Sequence, residues 1–160
     1  MKNFLKLFFI SVLILFVSAS CSKRLDYLPG TVDNFKLTKK LTGKQALDFV
    51  NRLHFENVTD EENMIGFYSY ENNNAMIYVT VYDTGTEAEI NYQRMTEKIS
   101  PHNSVFTKGK YLTLDGNIVY RCFGMGQTHF VFFKNNVLVW LSADSNLANK
   151  LVEDYLEYIT

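Results

Sequence analysis

Between residues 111 and 141 the chain reads YLTL, DGN, IVYRCF, GMGQ, THFVFF, KNN, VLVWL. Four short runs rich in aromatic and β-branched residues are parted by turn residues, and this alternation limits the fold more than anything else in the sequence. Asp115-Gly116 and Asn135-Asn136 are residues that accept the positive φ of a two-residue hairpin turn. Strands joined by such turns can only be antiparallel, which excludes a parallel nucleotide-binding sheet. FVFF and VLVWL are apolar on both faces, so both strands must be covered from both sides.

Upstream, IGFYSYENNNAMIYVTVYDTG carries a second hairpin pattern around Asn72, Asn73 and Asn74. Ile77, Val79 and Val81 share one side of its second strand; Met76, Tyr78, Thr80 and Tyr82 share the other. Three helices surround these strands. Residues 43–54 bring Ala46, Leu47, Val50, Leu53 and His54 to one face behind a Thr42/Gln45 capping box. In TEAEINYQRMTEKIS, Thr86 and Glu89 repeat the device, Ala88, Tyr92, Met95 and Ile99 form the apolar stripe, and Pro101 ends the helix. A last helix from about Ser145 aligns Leu147, Ala148, Leu151, Val152, Tyr155 and Ile159. The expected fold is α+β: an antiparallel sheet of about six strands packed with three helices in the order αββαββββα. Helix-then-hairpin occurs twice, without a residue-level repeat. The layout resembles uncharacterised bacterial exported proteins and, more loosely, the photosystem extrinsic subunits. That likeness implies a layered α+β domain and carries no activity with it.

The chain opens with Lys2 and Lys6, an apolar-rich stretch Leu7–Val17, and the small residues Ser18, Ala19 and Ser20. A positive start, a greasy middle and a small-residue exit describe a secretory signal peptide over residues 1–20. Eleven residues from Leu7 to Val17 are too few for a permanent span, which needs ~20. Two peptidases fit the cut before Cys21. Ser18 and Ser20 satisfy the small-residue rule of the general signal peptidase. SASC also resembles a bacterial lipobox, with Ser18 where that motif usually has Leu, Val or Ile. The resemblance implies a lipoprotein: Cys21 becomes the first residue and its sulfur carries diacylglycerol, anchoring the chain in the membrane through acyl chains worth ~0.8 kcal/mol per buried methylene. Ser22 after the cysteine is compatible with transfer to the outer membrane of a two-membrane cell, since the inner-membrane retention signal is an aspartate there.

Residues 21–34, with Pro29-Gly30 and no apolar periodicity, read as a lipidated N-terminus and tether, and 35–160 as one globular domain. Removing the leader takes two lysines and no acid, leaving 14 basic against 17 acidic groups, a net charge of −3. With its basic residues scattered, the domain is not expected to bind nucleic acid. Cys122 is then the second cysteine beside Cys21; acylation of Cys21 leaves it a free thiol, whereas simple cleavage allows a Cys21–Cys122 pairing.

No serine stands in a nucleophile elbow, and none of His54, His102 and His129 is placed by sequence beside a nucleophile and an orienting group. His54 lies on an apolar stripe and His102 in a polar loop. A metal reading takes Cys122, Met125 and His129 in CFGMGQTH, ligands that suit Cu(I), against the plainer reading of buried Cys and Met. GMG precedes a strand, where a phosphate cradle needs a helix N-terminus; its glycines suit a bulge or tight hairpin. Tyr120, Arg121, His129 and Trp140 form the expected recognition patch for an envelope protein or a glycan. The functional expectation is a cell-envelope lipoprotein without a cofactor, working as a non-catalytic binding or accessory module. The alternative is a small secreted enzyme or metal-binding protein using residues 121–129.

Overall fold

A computed structural model describes residues 25–54, 61–102 and 104–160, with the side chains of residues 53 and 54 left aside. The leader, Cys21 and the His54 side chain lie outside this set. The elements run β1 Thr31–Val32, β2 Phe35–Thr42, α1 Gly43–His54, β3 Glu62–Tyr70, β4 Asn73–Val81 and α2 Gly85–Lys98, then β5 Thr107–Leu114, β6 Asn117–Gly124, β7 Gln127–Lys134, β8 Val137–Asp144 and α3 Ala148–Tyr158. All strands join one antiparallel sheet in the order β1-β2-β3-β4-β8-β7-β6-β5. Two meanders, β1–β4 and β5–β8, therefore meet where β4 pairs with β8.

The α+β class and the three helices hold, but the sheet has eight strands rather than about six. The two added strands are β1 and β2. In FKLTKKLT the register shifts at a bulge between Leu37 and Lys39, and three lysines lie along the strand. Lysines and bulges are how an edge strand resists pairing with other chains, and together they erase the period-two pattern.

The sheet lies between two helical layers. Alternation along β4 sends Ile77 and Val79 to the face covered by α3, and Met76 and Tyr78 to the face covered by α1. Tyr78 stands opposite Trp140, which packs with the α2 cluster, so α1 and α2 share a face. β7 and β8 run through the middle, with Phe130, Phe132, Val139 and Leu141 under α3 and Val131 and Leu138 under α2. Their two-sided apolar character follows from that position. In α3, Ala148, Leu151, Val152, Tyr155 and Leu156 are buried at the i, i+3, i+4, i+7, i+8 spacing of one helical face.

Two turns and one cap differ from expectation. Glu71 and Asn72 make the β3–β4 turn, Glu71 at φ 53°, so Asn73 and Asn74 already belong to β4. Met125 and Gly126 take φ 52° and 79°, as Asp115 and Gly116 take 46° and 76°, so GMGQ closes as tight a hairpin as DGN. The capping box of α2 is Thr84 with Glu87: the Glu87 N–H donates to Thr84 Oγ1 (3.2 Å) and the Thr84 N–H to Glu87 Oε2 (3.0 Å). TGTEAE offers the motif in two frames. The end of β4 is tied to the β7–β8 turn two residues before Thr84, through Tyr82 N–H to Asn136 O and Asn136 Nδ2–H to Tyr82 O.

Of the residues expected within the tether, Leu28 packs into the core on the α3 side of the sheet and Thr31–Val32 form its strand β1. Leu28 is 1% exposed and Val32 is buried, so the packed body takes in residues before Phe35.

Candidate functional site

Period-two geometry divides the expected patch. Tyr120, Cys122, His129 and Trp140 face α2, whereas Arg121 and Phe123 face the other side of the sheet. On the α2 side His129 is buried and both ring nitrogens are engaged. Trp140 Nε1–H can only donate, so Nδ1 of His129 must accept its bond (3.0 Å). The proton is then on Nε2, which donates to Gly124 O at 3.0 Å. Burial holds the His129 pKa below 6.5 despite that carbonyl. Phe106 meets both rings edge-on, 5.0 Å from His129 and 5.7 Å from Trp140.

Cys122 stands opposite His129 across β6–β7, fully buried, its thiol pushed up to about 11 by burial. A thiol so raised is a poor nucleophile at neutral pH. Met125 is 79% exposed on the turn. Cys122 and His129 are thus brought together, with Met125 outside, and binding a metal through His129 would first have to break one of its two hydrogen bonds. Among the described residues no group of three His, Cys, Asp or Glu is placed to hold a metal ion. Tyr120 is buried against Tyr111, ring centroids 5.1 Å apart, and it is Tyr111 that reaches solvent. The Tyr120 hydroxyl also explains Gly109, where a Cβ would stand 2.0 Å from that oxygen.

The opposite face of β5–β6 is built differently. Arg121 is half-buried, opposite Lys110 in register, with its Cζ 5.2 Å from the centre of the Phe123 ring. Lys108 brings its Nζ to 5.9 Å from the same ring. Lys108 takes φ 55°, within the irregular register between Thr107 and Lys110. Like charges directly opposite each other on a sheet repel. Among the described residues none of Lys108, Lys110 and Arg121 has an ion-pair partner, and Arg121 Nε is buried without an acceptor. A guanidinium cannot shed its proton to escape that cost. Lys108, Lys110 and Phe123 were not singled out from the sequence, although alternation in IVYRCF already sets Arg121 and Phe123 opposite Tyr120 and Cys122.

A concavity of about 370 Å³ runs between α1 and β2, lined by Lys39, Leu41, Gln45, Asp48, Phe49 and Arg52. Its charges are mixed, and Arg52 Nε already donates to Asp48 O at 3.1 Å. The chain matches no family model and no curated protein.

Proposed function

We propose that this protein is a bacterial cell-envelope lipoprotein, cut before Cys21 and acylated there, that works by contact rather than catalysis. Its domain recognises an anionic group on an envelope glycan or protein through Lys108, Lys110 and Arg121 beside Phe123. The outer membrane is the proposed site of anchoring, from Ser22 after the cysteine.

The observation that carries the binding reading is the uncompensated charge on β5–β6: two cations in direct cross-strand register, a third on the same aromatic ring, and a buried Arg121 Nε–H with no acceptor among the described residues. A carboxylate, phosphate or sulfate would neutralise the cluster and accept from the guanidinium, a charge-assisted bond about twice as strong as a neutral one. The leader and the Cys21 context support the anchor.

Two measurements test the proposal. The intact mass of the natively purified protein should begin at Cys21 and include acyl chains, and Cys21→Ala should abolish both. Binding of the protein to washed envelopes should weaken about tenfold or more with Arg121→Gln, the loss of one charge-assisted contact, and should fall with added salt. Binding unchanged by Arg121→Gln together with Lys110→Gln would contradict the assignment of this face.

A further inference from the structure

The chain enters the domain as a strap that is clamped along its length. Three tyrosine hydroxyls donate to three of its carbonyls: Tyr158 to Asp26 O at 2.7 Å, Tyr155 to Tyr27 O at 2.9 Å, and Tyr68 to Pro29 O at 3.0 Å. The Asp26 carboxylate accepts from Lys40 Nζ at 2.8 Å and from the Leu28 N–H at 3.1 Å. The Leu37 N–H donates to Gly30 O at 2.9 Å, and the Leu28 side chain is buried between these bonds. Tyr68 and Tyr155 are among the largest fully buried side chains, so two of the donors are themselves immobilised in the core.

This sets a length. On the proposed acylation of Cys21, on which this inference rests, four residues separate the anchor from Asp26, five Cα–Cα steps with a reach of at most ~18 Å. A free tether from Cys21 to Phe35 would instead reach ~50 Å. The headgroup zone alone is ~5–8 Å deep on each side of a bilayer. A body clamped at Asp26 can therefore stand at most ~10–13 Å clear of the headgroups.

The surface at the exit fits that neighbour. Leu25 (42% exposed) and Tyr158 (40% exposed) are both large and solvent-facing, and the Tyr158 hydroxyl donates to the carbonyl of Asp26, the residue after Leu25, whose carboxylate is paired with Lys40. An aliphatic side chain, a tyrosine and a lysine are the residue types that settle at a membrane–water interface. We infer that the strap fixes the orientation of the anchored protein, seating the Leu25–Tyr158 end of the domain directly on the lipid surface. The strap docks by β2 and the cationic cluster lies on β5–β6, at opposite edges of the sheet. Six strand spacings separate β2 from β5, or roughly 29 Å along the sheet, so the lipid seat and the cationic face do not compete.

The test uses the full-length acylated protein in vesicles of phosphatidylethanolamine and phosphatidylglycerol, some bearing a headgroup-attached fluorescence quencher. One fluorophore is placed by Glu157→Cys beside the exit and, in a separate protein, another by Met125→Cys on the far hairpin. Buried Cys122 does not compete for the label. The label at 157 should be quenched several-fold more than the label at 125. A Gly/Ser insertion of about 12 residues after Lys23, adding ~40 Å of reach, should abolish the difference. Equal quenching at both sites in protein whose intact mass shows the acyl chains would overturn the fixed seat while leaving the lipoprotein reading standing. An intact mass without acyl chains would overturn the lipoprotein reading, and the inference with it.

Discussion

The two edges of the sheet meet the same hazard in opposite ways. At the β2 edge the chain covers itself: β1 pairs with β2, and the strap places Leu28 in the core with its carbonyls taken by Tyr68, Tyr155 and Tyr158. At the β5 edge nothing among the described residues covers the strand, and lysines and an irregular register stand guard instead. Both are recognised defences against strand addition. The difference lies in what remains unsatisfied. At the first edge the strap carbonyls and Lys40 find partners within the chain, whereas the second leaves Arg121 Nε without an acceptor among the described residues, beside two further cations. Three cations gathered around one cross-strand pair and one aromatic ring, with an Nε–H that has no acceptor among the described residues, are the grounds on which recognition is proposed for β5–β6.

The contrast can be broken first by substitution in the core of the strapped edge. Leu28→Ala should cost ~2–5 kcal/mol of unfolding free energy, the range for emptying a buried leucine site. Ile118→Ala on the open edge, where the side chain is exposed, should change stability by no more than ~0.5 kcal/mol. Urea denaturation of both variants checks this, and equal losses would erase the distinction. Next in size is Tyr155→Phe, which keeps the ring and strips one bond from the strap. Leaving the Tyr27 carbonyl without its donor should cost ~1–3 kcal/mol and raise amide exchange at residues 26–30 before it rises elsewhere.

A smaller effect concerns the packed face behind the open edge. Folding depresses the pKa of His129 below 6.5, so on acidification the unfolded chain takes up its proton first. Stability should therefore be level above about pH 7 and fall as pH drops through 6.5 towards the folded-state value. His129→Gln should flatten that part of a pH series of thermal melts. The smallest stability change belongs to Arg121→Gln. Removing a charge opposed to Lys110 should leave stability within ~0.5 kcal/mol of the parent or slightly above it, while binding to envelopes weakens about tenfold or more. A large destabilisation would make Arg121 a structural residue of the edge.

Much of this architecture was legible in the sequence, for local reasons. DGN and KNN specify their hairpins through residues that accept positive φ, and the two-sided apolar runs place β7 and β8 at the centre. The stripe of α3 and the span of α1 follow from helical spacing. What escaped depended on the tertiary setting. Strand β2 is lysine-rich and bulged, so its alternation is broken where it would be read. The strap has no periodicity because its bonds run through backbone carbonyls to tyrosines more than 38 positions away, a partnership composition cannot reveal. TGTEAE admits two capping frames, and the local sequence does not choose between them. The expected patch around Tyr120 and Arg121 failed to account for the pleat, which turns neighbouring residues of a strand to opposite faces.

The most direct test of the open edge watches the Arg121 Nε–H by NMR while tripolyphosphate, a multivalent oxyanion, is added to the folded protein. Its resonance, with the amides of Lys108, Lys110 and Phe123, should shift saturably and exchange more slowly with solvent, while the amides of residues 26–30 stay unmoved. A silent Arg121, or shifts spread evenly over both edges, would contradict the assignment of recognition to β5–β6.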